Sequence, residues 1–453
     1  MNIIIAGTGK VGGALTRLLS SEGYDLTVID LHADVLESIV EKHDVISVEG
    51  NCAQMSVLKA AGVETADLLI AATREDEVNL LCCMTAHALN PKIHTIARIR
   101  DPEYNDQIYM MRDSFALSMA VNPELQAATE IARLLEYPGF LQRDSFVQDR
   151  VEIVEILLNE KNPLCDKALI DLPSIAKCRV LVCTVVRDRQ TIMPDGHFVL
   201  RAGDRIFVTA PTQELTTLLS NLGIITRKVR RVALCGGGRV SFYLAKMLLR
   251  AGISVLLIEK DPERARELSE LLPDADVVLG DATSHTVLEQ EDVDRCDAVV
   301  SLTGLDEMNI IISLYAHDLG VSQVITKVGR EESIGIVNRL ATGSAICPQE
   351  LCGSIIVRYV RAAERESGAA ITIHSIASGM AEASEFMVDE KTLNRGKPLR
   401  DIRLRKNTLL VCISRNGRME IPNGNSSFEA GDTVVVVTER NSMVQELNDI
   451  FQV

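Results

Sequence analysis

The feature that most constrains this chain is an internal repeat with a spacing of 229 residues. The segment that begins at Ile3 and reaches Gly12 resembles the one that begins at Val232 and reaches Ser241. Five further pairs keep the spacing between 228 and 230 residues: Asp30 and Glu259, Thr73 and Thr303, Asn79 and Asn309, Arg98 and Lys327, and Gly203 and Gly431. A spacing held over nearly half of the chain indicates a tandem duplication, so both halves must adopt the same fold.

The first part of each half alternates short apolar runs with helical patterns. In the first half the apolar runs are 2–6, 26–30, 45–48, 68–72 and 94–98. Helical patterns lie between them, near 10–21, 33–42, 54–61 and 76–89. The second half repeats the apolar runs at 231–235, 254–258, 276–279, 297–302 and 323–327. Short buried strands that alternate with helices predict a parallel sheet covered on both faces.

The second part of each half differs and is rich in predicted β-structure. It follows a helical stretch, which we place at 124–135 in the first half and at 349–366 in the second. The alternating runs are 151–156, 180–186 and 205–209, and then 371–376, 409–413 and 433–437. Turns at 200–204 and 428–432 lead into the final strands, and we expect each module to close with a short helix.

These patterns predict an α/β chain of four domains. Two tandem Rossmann-like domains, each with a doubly wound parallel sheet, are each followed by a small β-rich α+β domain. The predicted domains are 1–137, 138–228, 229–366 and 367–453. A length of 453 residues agrees with this number, since domains typically contain about 100–200 residues.

Composition excludes several classes of protein. A net charge of −16 argues against nucleic acid as the main partner, because phosphate backbones need a basic surface. No apolar run approaches the roughly 20 residues of a membrane span. The first seven residues lack a basic region and break at Gly7, which is not the pattern of a signal peptide. We therefore expect a soluble cytoplasmic protein.

The cysteines agree with a reducing compartment. The chain has 11 of them, an odd number, and no CxxC pair occurs. Cys178 and Cys183 lie five residues apart, as do Cys347 and Cys352, but neither pair has a histidine at a spacing typical of zinc sites. We expect reduced thiols, many of them in strands, and no metal site.

A GxGxxG motif follows the first predicted strand and opens the first helix, the context that dinucleotide binding requires. Gly7 permits the tight turn, Gly9 lets backbone N–H groups approach a pyrophosphate, and Gly12 allows close helix–strand packing. The helix N-terminus favours a phosphate there. Asp30 ends the second strand, where a carboxylate accepts both ribose hydroxyls and repels a 2′-phosphate, so NAD is favoured over NADP. The alternative is a Rossmann turn that has lost its ligand.

The second loop departs from this motif at one position. Gly236 and Gly238 are retained, but Ser241 replaces the third glycine. Glu259 keeps the ribose carboxylate. Because serine is small, helix packing survives in our interpretation, and we predict a second nucleotide site.

Further residues are placed by the repeat at the same crevice. Lys10 and Arg239 occupy one position in the two loops; a cation there either serves a longer polyphosphate such as ATP or is a solvated cation at the helix start. Arg98 and Lys327 end the fifth strands, where they contact phosphate or adenosine or form an ordinary surface ion pair. The other candidates are Thr8, Val11, Gly237 and Val240 in the loops, Thr73, Arg74, Thr303 and Gly304 after the fourth strands, and Asn51 and Asp281 after the third strands.

The sequence offers little for catalysis. A dehydrogenase needs a proton carrier near the nicotinamide. His87 and His317 are the one histidine pair that recurs, and we place both late on a helix and away from the crevice. No other catalytic motif is found. We therefore expect no catalytic residues; a soluble NAD-dependent oxidoreductase built from duplicated halves is the alternative.

The glycine loop with Asp30, then Gly50 and Asn51, then a small β module with Gly203 and Asp204, resembles an RCK unit (regulator of potassium conductance, also called KTN). Two such units in tandem are similar to the regulatory subunits of bacterial Trk-type potassium uptake systems. The resemblance implies binding of NAD(H) or ATP/ADP and assembly into a homo-oligomeric ring of four copies. It also implies a Trk-type potassium-translocating membrane subunit as partner and a place at the inner face of the cell membrane. In related rings the residue matching Lys10 reaches the terminal phosphate of a nucleotide.

Overall fold

The computed structural model describes residues 1–111, 114–136, 142–146, 151–160, 162–188, 190–222, 229–340, 342–364, 370–377, 380–439, 444 and 446–452. The first unit consists of β1 Asn2–Ala6, α1 Lys10–Ser21, β2 Asp25–Asp30, α2 Ala33–Val40, β3 Ile46–Glu49, α3 Met55–Ala60, β4 Leu68–Ala71, α4 Asp76–Leu89, β5 His94–Arg98, α5 Pro102–Met111, β6 Met119–Val121 and α6 Pro123–Glu136. The first small module consists of β7 Gln142–Phe146, β8 Val151–Leu157, α7 Leu172–Ala176, β9 Leu181–Arg187, β10 Gln190–Ile192, β11 Arg205–Pro211 and α8 Thr212–Asn221.

The second half repeats this order of elements. Its larger unit consists of β12 Arg231–Cys235, α9 Arg239–Arg250, β13 Ser254–Glu259, α10 Pro262–Leu271, β14 Asp276–Leu279, α11 His285–Gln290, β15 Ala298–Ser301, α12 Asp306–Asp318, β16 Gln323–Lys327, α13 Glu331–Leu340, β17 Ser344–Ile346 and α14 Pro348–Glu364. Its small module consists of β18 Ala370–Ile376, β19 Ala381–Met387, β20 Thr408–Arg415, β21 Arg418–Glu420 and β22 Thr433–Glu439.

The two larger sheets have the same topology. The strand order is β3-β2-β1-β4-β5-β6 in the first and β14-β13-β12-β15-β16-β17 in the second, with parallel pairing throughout. The order reverses between β1 and β4, and between β12 and β15. In a doubly wound sheet, ligands bind at the carboxyl ends of the strands beside this reversal. The predicted Rossmann-like fold is confirmed, and both glycine loops lie at that point.

Each larger sheet has one strand and one helix more than the sequence predicted. The sixth strands, β6 and β17, have three residues each, too few to show a periodic pattern. The helices before them, α5 and α13, were also missed. These elements widen each sheet on the β5 or β16 side.

The small modules contain antiparallel sheets, with strand orders β10-β9-β11-β8-β7 and β18-β19-β22-β20-β21. The run predicted at 371–376 is β18, and β18 occupies the place of β7. The repeat partner of β8 is β19, which the sequence analysis missed. Strand β19 reads Ala-Glu-Ala-Ser-Glu-Phe-Met, so small and charged residues hide its apolar alternation.

The Gly-Asp pairs that mark the end of the repeat fix the turn into each final strand. Gly203 and Gly431 have φ values of +89° and +90°, which favour glycine. Asp204 is almost fully buried, and its Oδ2 accepts a hydrogen bond of 2.7 Å from Arg187. Asp432 repeats the arrangement with Arg415, also at 2.7 Å.

The two halves interlock through their linking helices. Helix α6, from the first half, packs on α9 of the second, and α14, from the second half, packs on both α1 and α6. Ile131 of α6 therefore shares an apolar core with Leu244 of α9, while Ile356 of α14 completes the core of the first unit around Leu15.

The two small modules pack against each other through a shared apolar core. Phe146 and Phe207 of the first module share a core with Val411 and Val435 of the second. The predicted domain boundaries near 137, 228 and 366 fall in stretches outside the described residues and stay predictions. No helix in the described part of the chain has the length and apolar character needed to cross a membrane.

Two candidate nucleotide sites

The first glycine loop is shaped by close backbone packing. Gly7 has a φ of +89°, and a Cβ on it would lie 2.7 Å from the backbone nitrogen of Thr73. A Cβ on Gly12 would lie only 1.8 Å from the carbonyl oxygen of Gly7. Gly9, by contrast, borders open space, and as a glycine at the N-cap it has no side chain with which to cap the helix that begins after it. The first N–H groups of α1 are therefore free to bind an anion, as a pyrophosphate site requires.

The second loop accommodates a serine where the first needs glycine. The Ser241 side chain is buried, and its hydroxyl donates to the carbonyl oxygen of Gly236. A Cβ on Gly236 would lie 3.1 Å from the backbone of Leu302, which follows β15. The second loop is therefore slightly further from the end of β15 than the first loop is from the end of β4. Gly238 again borders open space at an uncapped helix start. The serine thus preserves both the turn and the exposed N–H groups.

The carboxylates at the ends of β2 and β13 tie the loops to the sheets. Asp30 Oδ2 accepts hydrogen bonds from the backbone N–H and the hydroxyl of Thr8, at 2.8 and 2.6 Å. Glu259 Oε2 accepts one from the backbone N–H of Gly237. Burial opposes ionisation of Asp30, but the hydrogen bonds from Thr8 and His32 outweigh it and lower the pKa of the carboxyl group. Asp30 is therefore ionised at neutral pH.

An asparagine on α4 and its counterpart on α12 hold the strand ends in place. Asn79 Oδ1 accepts from the backbone N–H and the hydroxyl of Thr73, at 2.8 and 2.7 Å, and its Nδ2 donates to the carbonyl oxygen of Arg98 at 2.9 Å. Asn309 makes the same three bonds to Thr303 and Lys327 at the same distances. The sequence analysis recognised these asparagines as repeat markers but gave them no role.

The cations at the ends of β5 and β16 are partly buried at the crevice. Arg98 lies 3.9 Å from Glu124 of α6, and its Nε has no hydrogen-bond partner among the described residues. Burial lowers the pKa of Arg98. Lys327 Nζ donates to the carbonyl oxygen of Leu302 at 3.1 Å, and its pKa is lowered by burial and by the nearby charge of Lys10. Arg98 thus forms an ion pair that is mostly buried, and both cations carry N–H donors of the kind that bind an anionic ligand.

The two crevices face each other across the halves. A Cβ on Gly329 would lie 3.4 Å from Nζ of Lys10 and 3.3 Å from Oδ1 of Asp306, so the ammonium group of the first loop rests against the second unit. In the opposite direction, Tyr243 of α9 donates to the carbonyl oxygen of Arg100 at 3.1 Å. The first residue of α1 and a residue of α9 therefore each contact the segment that follows the fifth strand of the other half.

The structure places the other candidates at the same rims. Asn51 and Asp281 follow β3 and β14 and are exposed. Asp281 accepts from the backbone N–H and hydroxyl of Thr283, which lowers its pKa. Arg74, Gly304 and Arg239 are exposed at the crevices, whereas Val11 and Val240 point into the cores and offer only backbone N–H groups.

Two further acidic residues were missed. Asp76 Oδ2 accepts from the backbone N–H groups of Arg100 and Asp101, at 2.8 and 2.9 Å. Asp306 Oδ1 accepts from the N–H of Gly329 at 2.8 Å. These aspartates are 230 residues apart, so the repeat was a signal that could have found them. They shape the loops after β5 and β16.

The donor set fits a nucleotide. Uncapped helix N-termini suit phosphates, acidic strand ends suit ribose hydroxyls, and a buried Arg98 Nε lacks a partner among described residues. In the same described regions, no three His, Cys, Asp or Glu side chains are grouped so as to hold a metal ion.

Comparison with known proteins agrees with this architecture. The TrkA-N domain family model matches residues 3–122 and 232–348, and the TrkA-C domain model matches 153–223 and 384–452. The Trk system potassium uptake protein TrkA of Vibrio alginolyticus is 32% identical over 458 residues, covering 100% of this chain and 99% of the relative. A TrkA homolog of Archaeoglobus fulgidus is 31% identical and covers 100% of both chains.

Solved structures share the fold. The crystal structure of the GsuK RCK domain has a TM-score of 0.62 at 18% identity, over 97% of this chain and 92% of that chain. The GsuK channel bound to NAD has a TM-score of 0.61 at 18% identity, over 97% of this chain and 76% of that chain. Two Rossmann-like units, each with a glycine loop and a small β module, define a protein with two TrkA-N and two TrkA-C domains. The chain belongs to the TrkA family of Trk system potassium uptake proteins.

Proposed function

We propose that this chain is a cytoplasmic regulatory subunit that senses NAD(H) or ATP/ADP and controls potassium uptake through a Trk-type membrane subunit. The observation that carries the proposal is the pair of glycine loops that face each other across the halves. Lys10 of the first loop lies against the second unit, and the pKa of Lys327 there is lowered by its own burial and by the charge of Lys10. An anionic phosphate between these cations would stabilise both and draw the halves together.

Such a site acts as a switch without making or breaking a bond. A ligand shifts a protein between two shapes only by its differential affinity for them. A 100-fold preference corresponds to roughly 2.7 kcal/mol per site, at about 1.4 kcal/mol for each factor of ten. In this proposal the candidate residues of the glycine loops and of the strand ends form the two sites, to which Val11 and Val240 contribute only their backbone. We assign no catalytic residue to the chain. We place its domain boundaries near 137, 228 and 366.

The first test is nucleotide binding to the full-length chain. Calorimetric titrations with NADH, NAD, ATP and ADP should show binding of at least one of them. Asp30→Ala should weaken binding at the first site and Glu259→Ala at the second, each roughly tenfold or more, since hydrogen bonds to a charged group contribute about 1.5–3 kcal/mol. Asp318→Ala, at an exposed position late on α12, is the matched control. Absence of binding, or wild-type affinity in both variants, would contradict the proposal.

Control of transport is tested in vesicles that contain the Trk-type membrane subunit. Potassium flux should change when the chain is added, and the change should depend on the nucleotide present. The alternative, a soluble NAD-dependent oxidoreductase, requires turnover of NAD(H) with a small substrate. Nucleotide-independent flux together with such turnover would favour the alternative. Co-sedimentation with the vesicles tests the proposed place at the inner face of the membrane.

We also propose that copies of the chain assemble into a ring of four through α4 and α12. Leu81 and Met84 on α4 are 52% and 40% exposed, and their repeat partners Ile311 and Leu314 on α12 are 36% and 38% exposed. Apolar residues kept exposed at matched positions of both halves are typical of a surface between copies.

The double variant Leu81→Asp, Leu314→Asp is expected to dissociate the assembly, because it puts charge into that apolar surface. Its molar mass, measured by light scattering, should fall towards that of a single chain of 49.6 kDa. Leu271→Asp on α10 is the control, since Leu271 is 52% exposed but has a lysine as its counterpart in the first half. An unchanged mass for the double variant would refute this surface.

A further inference from the structure

The ribose carboxylates of the two sites differ in how many hydrogen-bond acceptor positions the protein itself fills. Asp30 Oδ2 accepts from the backbone N–H and the hydroxyl of Thr8. Its Oδ1 accepts from the backbone N–H of His32 at 3.2 Å and lies 3.0 Å from Nδ1 of the same residue. Since a carboxylate only accepts, that contact places a proton on Nδ1. Four donors thus fill the four lone-pair positions of the carboxylate.

Among the described residues, the second carboxylate has two hydrogen-bond donors, half as many as the first. Glu259 Oε2 accepts from the backbone N–H of Gly237, and Oε1 accepts from the backbone N–H of Asp261 at 2.8 Å. Asp261 stands where His32 stands in the first half, but its side chain caps α10 and accepts from the N–H groups of Glu263 and Arg264, each at 3.0 Å. Two acceptor positions on Glu259 are therefore left for a ligand.

Side-chain size explains the difference at the loop. A Cβ on Gly237 would lie 2.8 Å from Oε2 of Glu259 and 2.5 Å from Cδ1 of Leu268. The longer glutamate occupies the space that the Thr8 side chain fills in the first half. The first loop is thus anchored by Thr8 and Asp30, and the second by Gly237 and Glu259. Only the second pair leaves acceptor positions of the carboxylate open.

We propose that the two sites bind the ribose differently: Glu259 accepts the 2′- and 3′-hydroxyls of a ribonucleotide directly, whereas Asp30 accepts a single ribose hydroxyl, and only after the His32 imidazole has left. The inference rests on the proposed function, because it concerns the same two sites. His32 is a specificity-determining residue of the first site. Its side chain is 69% exposed, so it is free to swing away when a ligand arrives. The second site discriminates strongly against 2′-deoxyribonucleotides, and the first discriminates weakly.

The test compares ADP with 2′-deoxy-ADP by calorimetry on the full chain. Glu259→Ala reports on the first site alone, and Asp30→Ala reports on the second. At the second site, loss of the 2′-hydroxyl should weaken binding roughly tenfold or more, since a hydrogen bond to a charged group is removed. At the first site the loss should be below about threefold, because His32 takes back the vacated position.

The decisive variant is His32→Ala in the Glu259→Ala background. It should strengthen ADP binding at the first site by roughly threefold to tenfold and raise the preference for ADP over 2′-deoxy-ADP. His43→Ala removes an imidazole from the same unit away from the crevice and should change neither quantity. Equal discrimination at both sites, or no effect of His32→Ala, would overturn the inference while nucleotide binding itself stands. Failure of these proteins to bind ADP would overturn the inference, and failure of the wild-type chain to bind any of NADH, NAD, ATP and ADP would overturn the proposed function as well.

Discussion

When the two halves, 1–228 and 229–453, are expressed as separate chains, neither is expected to be a stable monomer. Without α14, the first half exposes the apolar surface that Cys352, Ile356, Val357 and Val360 cover in the intact chain. At about 1.5 kcal/mol for each buried side chain, the loss is about 6 kcal/mol, close to the whole stability of a typical domain. Co-expression should restore a folded complex, because α6 and α14 can still cross between the halves. Cooperative unfolding of the separate first half as a monomer, followed by circular dichroism, would contradict the interlocked arrangement.

The same interlock can be probed within the full chain. Ile356→Asp buries an unpaired charge between α14 and α1 and should destabilise the first unit by about 4 kcal/mol or more. Ser354→Asp, on the exposed side of the same helix, is the matched control and should stay within about 0.5 kcal/mol of wild type. Urea denaturation measures both. Equal effects of the two variants would show that this face of α14 is not buried in solution.

A valine at Gly12 is expected to have the largest effect of a single substitution in either loop. Its Cβ would lie 1.8 Å from the carbonyl oxygen of Gly7 and 2.9 Å from the carbonyl carbon, and backbone atoms cannot move aside as a flexible side chain could. We expect a loss of about 3 kcal/mol or more in the free energy of unfolding. Nucleotide binding at the first site should be lost together with the loop conformation.

The second half supplies the control for that variant. Ser241→Ala keeps the Cβ that this loop already accommodates and removes only the hydrogen bond to Gly236. It should cost about 1 kcal/mol and leave the second site able to bind. Thermal unfolding and calorimetric titration of both variants give the comparison. If the Gly12→Val protein were as stable as the Ser241→Ala protein, the first loop would be able to accommodate a Cβ at this position, as the second loop does.

Most of the sheet architecture could be predicted because buried parallel strands are continuous apolar runs. The five strands predicted in each larger unit carry such runs, and the repeated βα pattern indicates that they pair in parallel. The missed strands lacked that signal. Strands β6 and β17 are three residues long, and β19 carries Glu382, Ser384 and Glu385 in place of large apolar residues.

The site residues that could be predicted from the sequence likewise belong to local motifs, and those that could not depend on contacts between distant parts of the chain. Gly7, Gly9, Asp30 and their counterparts were found because the motif and its spacing are local in sequence. The contacts of Lys10 with the second unit, and of Tyr243 with Arg100, join residues far apart in the chain, and no periodicity records them. The hydrogen bond between the His32 imidazole and the Asp30 carboxylate depends on the orientation of the His32 side chain, which the sequence does not specify.

The sequence by itself determined the duplication, the Rossmann-like units, the small β modules and the position of each glycine loop. These follow from spacing and hydrophobic periodicity, which are properties of short segments. Only the tertiary structure decided that the linking helices exchange partners between the halves and that the two crevices face each other. That choice depends on which apolar face of α6 and α14 finds a complementary surface, and such a surface exists only once both sheets have formed.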